Sequence, residues 1–148
     1  MHENAAHTVV VGVDGSDRAD RALDWSIDEA LLRSAGIRIV TAWHVPLAAY
    51  AGHGASPAAG TTLEDTVRMA AEGIADAAAD RVRATTKEVP VETRVIQGQP
   101  AEVLIDTASG ADLLVLGAPG RRHGVSGAWT SPAVQCVVHA PCPTAVVH

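Results

Sequence analysis

The sequence predicts an α/β protein in which a parallel sheet carries helices on both faces. Three observations lead there. Five short apolar segments alternate with segments whose apolar residues recur at helical spacing. That is the pattern of strand–helix–strand units joined by right-handed crossovers. The first and fourth short segments, Val9-Val10-Val11 and Leu113-Leu114-Val115-Leu116, are apolar at consecutive positions, as in strands buried on both faces. Finally, 148 residues that are 47% hydrophobic and 19% charged suffice for a single domain, 1–148, with a sizeable core. Aromatic residues are only 3% and Phe is absent, so the core is predicted to consist of Ala, Val, Leu and Ile.

The first strand is predicted over residues 8–14, ending at Asp14 and Gly15. Ser16 is suited to cap the helix that follows, whose inward face is Ala19, Leu23, Ile27, Ala30 and Leu31, with Gly36 as its stop. Residues 37–43 form the second strand. Residues 45–61, with Pro46, Gly52, Gly54, Pro57 and Gly60, read as a long loop of the kind that is often functional. A helix from Thr62 to about Lys87 turns Val67, Ala71, Ile74, Ala78 and Val82 inward. Residues 91–96 alternate like a more exposed strand, and Pro100 suits the first turn of the next helix, with Val103, Leu104, Thr107 and Ala108 inward. The fourth strand, 112–117, is the most hydrophobic. Ser131 and Pro132 open a last helix with Val134, Val137 and Val138 inward, and 143–147 is the fifth strand.

In such sheets ligands sit beyond the carboxyl ends of the strands, where strand order reverses. Asp14 and Gly117 both lie at such ends and flank one crevice if their strands are neighbours. After Gly117 comes a Gly-rich stretch, 117–131, that runs from a buried strand into a helix start. Glycine lets backbone N–H groups approach phosphate oxygens, and a helix N-terminus adds donors and a favourable dipole. Charge points the same way. Residues 113–148 hold no acid and two bases, Arg121 and Arg122, although the chain as a whole has net charge −6. Neither a G-x-x-x-x-G-K-[ST] P-loop nor a G-x-G-x-x-G fingerprint occurs.

The motifs Val11-Gly12-Val13-Asp14-Gly15-Ser16, Ala111-Asp112-Leu113-Leu114-Val115-Leu116-Gly117, Gly117-x-x-Gly120 and Ala140-Pro141-Cys142-Pro143 together resemble the universal stress protein family, in order and over nearly the whole chain. The resemblance implies a Rossmann-like, adenine nucleotide alpha hydrolase-like fold with a five-stranded parallel sheet of order 3-2-1-4-5. It also implies a homodimer through the last strand. Many members bind ATP through a G-x-x-G, nine residues, then G-[ST]. Here Gly117 and Gly120 match, but Thr130 stands where the third glycine is expected, before Ser131, and Pro132 has no N–H. By the same resemblance Asp14 faces the ribose or a phosphate-bound Mg²⁺, Val13 lines the pocket, and Ala42 and Trp43 lie near the adenine. Gly117, Gly120, Arg121, Thr130 and Ser131 receive the phosphates. The implied activity is that of an ATP-binding stress-response switch with an unknown protein partner and little or no hydrolysis. Two alternatives stand beside it: a dimeric interaction module of the same fold that binds no nucleotide, and a slow ATPase.

Other chemistries find less support. Cys136, His139 and Cys142 have zinc-type residues at C-x-x-H-x-x-C spacing, but on a helix and a Pro-flanked turn, where a structural role is expected. No G-x-S-x-G elbow or carboxylate pair supports nucleophilic or general acid–base catalysis. The net charge argues against nonspecific nucleic-acid binding. No apolar run approaches the ~18–20 residues that cross a bilayer. Met1-His2-Glu3-Asn4 lacks the pattern of a signal peptide, so a cytoplasmic site with reduced thiols is expected.

Overall fold

The computed structural model describes residues 6–51, 62–120 and 131–148. Its elements are β1 (Thr8–Gly12), α1 (Asp17–Arg33), β2 (Gly36–Trp43), α2 (Leu47–Ala51), α3 (Leu63–Thr85), β3 (Val91–Gln97), α4 (Pro100–Thr107), β4 (Leu113–Gly117), α5 (Pro132–His139) and β5 (Thr144–Val147). The strands form one sheet in the order β3-β2-β1-β4-β5, and every pair in it is parallel. This is the order that the motif resemblance implied.

Alternation along the strands splits the core in two. Val9, Val11, Leu113 and Val115 pack beneath α1 and α3 on one face of the sheet. Val10, Leu114 and Leu116 pack beneath α4 and α5 on the other. Val9, Val10 and Val11 are all fully buried, which is why β1 shows no polar alternation. At the edge of the sheet, β3 is largely exposed, and its mixed sequence follows from that.

The caps are local and legible. Ser16 Oγ accepts from Ala19 N at 3.2 Å at the start of α1. Thr62 and Asp65 close a reciprocal capping box on α3. Pro100 and Pro132 occupy first-turn positions, where a missing N–H costs nothing.

Several expectations are corrected. Helix α1 ends at Arg33, with Ser34 in the left-handed region at φ 52. Gly36 instead opens β2, opposite Thr8. Leu31 is exposed, because it falls outside the stripe of Ala19, Leu23, Ile27 and Ala30. In α5 the buried residues are Ala133 and Cys136, whereas Val137 and Val138 are 56% and 66% exposed. Ala133 and Cys136 are three apart and share one helix face. Val134, Val137 and Val138 keep the helical period, but choosing the bulkiest apolar residues selects the wrong face. Within the expected 45–61 loop, residues 47–51 are helical, and 52–61 lie outside the described residues.

Candidate functional site

β1 and β4 are direct neighbours, with Val9, Val10 and Val11 opposite Leu113, Leu114 and Val115. The chain leaves β1 for α1 on one face and leaves β4 toward α5 on the other. The two connections diverge and open a crevice at the carboxyl ends of the strands. It is a cleft of about 870 Å³, within the range of small-molecule sites.

The cleft is chemically two-sided. Val40, Ala42, Pro100, Leu104 and Leu116 make an apolar wall. Asp14, Ser16, Arg18 and Ser131 stand at the polar rim, and the strip Gly117–Gly120 brings main chain to it. Such a shape suits a ligand with a flat apolar ring and an anionic tail.

Asp14 is exposed, and its Oδ1 accepts from Ser16 N at 3.0 Å and from Ser16 Oγ at 2.5 Å. The carboxylate thus closes the turn into α1 and also forms part of the cleft wall. Gly15 within that turn has φ 82, a conformation that favours glycine. Val13 is buried and lines the cleft beside Asp14.

On the opposite side Ser131 is buried, and its hydroxyl accepts from Val134 N at 3.2 Å as the cap of α5. Accepting this bond leaves the hydroxyl its own O–H to donate. Pro132 has no N–H, so the main-chain donors that this helix start offers to an anion are the Ser131 and Ala133 N–H groups.

Gly117 has a structural task. A Cβ there would lie 2.8 Å from both the carbonyl carbon and the oxygen of Arg18. The end of β4 thus packs against the backbone of the first turn of α1.

Of the residues singled out by sequence, Val13, Asp14, Ala42, Gly117, Gly120 and Ser131 line the cleft. Trp43 is not among its described lining residues. Strand alternation explains this: Val40 and Ala42 share the cleft face, and Trp43 lies on the other. Arg121, Thr130 and the rest of 121–130 lie outside the described residues.

Arg18 was missed. It lines the cleft and donates from Nη1 to Ala118 O at 3.1 Å and to Pro119 O. One signal was available: a base in the first turn of a helix opposes the dipole and calls for a partner.

Cys136 is fully buried, and burial pushes its thiol up to about 11. It packs as a small apolar residue. Cys142 is half-buried, and its thiol is also pushed up, chiefly by burial and then by the charge of Asp112. Among the described residues no three His, Cys, Asp or Glu side chains converge as a metal site. Among them too, no helix is long and apolar enough to cross a membrane.

Comparison with known proteins gives the following. The sequence model of the universal stress protein family matches residues 6–148. Over 144 residues the chain is 35% identical to a universal stress protein of Mycobacterium tuberculosis, a match covering 97% of this chain and 49% of the relative. The chain spans about half the length of the curated relatives it matches. Among solved structures, a universal stress protein in complex with cAMP aligns with a TM-score of 0.74 and 27% identity over 98% of both chains. One from Archaeoglobus fulgidus in complex with dAMP aligns with a TM-score of 0.66 and 26% identity, over 97% of this chain and 98% of that one.

Proposed function

We propose, from the premise that this chain belongs to the universal stress protein family, that its cleft binds an adenine nucleotide, with ATP as the expected ligand. The observation that carries the reading is the two-sided cleft at the β1/β4 junction. Its apolar wall around Val40, Ala42 and Leu104 suits the base, and the Gly117–Gly120 strip with the start of α5 suits the phosphates. Two solved relatives hold cAMP and dAMP, which are adenine nucleotides. Each hydrogen bond from protein to a charged phosphate contributes roughly 1.5–3 kcal/mol, so a few main-chain donors supply a substantial part of the affinity.

Asp14 is the cleft's one described carboxylate, and only its Oδ1 is committed to Ser16. Its other oxygen fits as the protein's single ligand to a phosphate-bound Mg²⁺, which is a hard cation that accepts such a minimal site. When bound, that ion would neutralise phosphate charge. Asp14 itself would orient the polyphosphate and hold the turn into α1. With no second carboxylate among the described cleft residues, turnover is expected to be slow or absent.

The ligand then acts as a switch that changes what the protein presents to a partner. A nucleotide shifts such an equilibrium only through its differential affinity for the two states. Mass spectrometry of natively purified protein, followed by calorimetry with ATP, ADP and cAMP, tests binding. No retained nucleotide and no heat at millimolar ligand would sink it. Hydrogen exchange in residues 45–61 and 118–130, unchanged by saturating ATP and Mg²⁺, would sink the switch.

A second reading, a dimeric interaction module, is favoured by a separate observation. β5 is an edge strand paired only with β4 among the described strands. The helix before it exposes Val137 and Val138. Sedimentation analysis at micromolar concentration tests the dimer, and loss of association in Val138→Asp would tie it to this side of the molecule.

A further inference from the structure

Arg18 engages the end of β4 in two ways. Its backbone lies where a Cβ on Gly117 would go. Its Nη1 donates to the carbonyls of Ala118, at 3.1 Å, and Pro119. One nitrogen with two hydrogens is thereby satisfied twice.

The second of these bonds has a consequence for the cleft. In a trans peptide the carbonyl and the following N–H point in opposite directions. With Pro119 O held by the Arg18 guanidinium, the Gly120 N–H points away from that guanidinium. The rest of the strip offers little: Ala118 N is spent on Val147 O at 2.7 Å, and Pro119 has no N–H. Gly120 N–H is the donor that remains between 118 and 120. The Ser131 and Ala133 N–H groups lie at the α5 start that lines the same cleft.

We propose that Arg18 is a positioning residue for the anionic end of the ligand. It holds two carbonyl oxygens off the ligand and presents the Gly120 N–H to it. Without the guanidinium, the peptide is free to turn an oxygen into the cleft, where it repels the anion. The proposal rests on the nucleotide reading of the same cleft.

The test compares wild type, Arg18→Ala, Arg18→Lys and Arg21→Ala, the last on an exposed position of the same helix. Calorimetry with ATP and Mg²⁺ and, separately, with adenosine is the first measurement. The loss of one charge-assisted contact predicts about tenfold weaker ATP binding in Arg18→Ala. Adenosine, which has no phosphate, binds equally well to both. Arg18→Lys restores part of the ATP affinity, and Arg21→Ala matches wild type. In amide NMR spectra the Gly120 proton shifts downfield on addition of ATP to wild type and not to Arg18→Ala. If wild type binds neither ligand, the nucleotide reading falls and this proposal with it. If wild type binds ATP but Arg18→Ala binds it equally, or loses adenosine in the same proportion, only the positioning role is overturned.

Discussion

Replacing Gly117 by Ala is expected to damage the fold before it touches any ligand. The new methyl would sit 2.8 Å from the carbonyl carbon and oxygen of Arg18 and 3.0 Å from its Cβ. Two of these are backbone atoms of a capped helix turn and the third is bonded directly to the backbone, so no side-chain rotation relieves the contact. Either β4 or the first turn of α1 must move. Over-packing of this kind costs roughly 1–3 kcal/mol. For a domain of this size each kcal/mol shifts Tm by about 2–4 °C, so the midpoint should fall by roughly 2–12 °C. Thermal unfolding followed by circular dichroism measures this in the absence of ligand. The paired control is Gly73→Ala in α3, where an added Cβ meets nothing within 4 Å. An unchanged midpoint in Gly117→Ala would refute the packing argument and return the glycine to a purely ligand-facing role.

The Gly73→Ala control is itself a prediction: an open, helical glycine replaced by Ala should gain roughly 0.5–1 kcal/mol, read as a raised Tm. The carboxylate of Asp112 accepts from Thr8 N at 2.8 Å and pairs with His7 at 3.0 Å, which, with His7 the larger cause, holds it below its ordinary 3.8. Because its folded value is depressed, its stabilisation is present above about pH 4 and fades as pH falls through the folded value. Asp112→Asn should therefore lose stability at pH 7, by about 1 kcal/mol or less for so exposed a pair. The difference from wild type should vanish in acid, and a constant difference from pH 7 to pH 2 would contradict the linkage. Cys136 should resist alkylation in the native state at pH 8, its labelling rate following global unfolding, whereas Cys142 should label first. Equal rates would show that α5 opens locally.

Much of this architecture could be read from residues because it rests on local rules. Consecutive valines in β1 require two buried faces. Ser16, Thr62 and Ser131 sit at helix starts, where a hydroxyl has an orphan N–H to satisfy. What escaped was set by geometry between distant segments. The inward face of α5 is defined by Ala133 and Cys136, which are the small residues that let the helix approach the sheet, and not by its valines. The resemblance placed Ala42 and Trp43 together near the adenine, and the two-residue period of β2 gives the cleft face to Ala42. Arg18 pairs with carbonyls a hundred residues away, which no window of sequence contains.

The cleft residues share one property that governs how they should be tested. Asp14 ties the turn into α1, Gly117 makes room for that helix, Ser131 caps α5, and Arg18 clamps the end of β4. Each is held in place by a task that the fold needs in the absence of ligand. That preorganisation favours affinity, because donors already fixed lose little entropy on binding. It also means that loss of binding on substitution is ambiguous by itself. An effect on the phosphate end alone must leave adenosine affinity and the melting midpoint where they were, whereas loosening of the β1/β4 junction moves all three together. Comparing adenosine with its phosphorylated forms in each variant separates a residue that meets the ligand from one that merely keeps the crevice open.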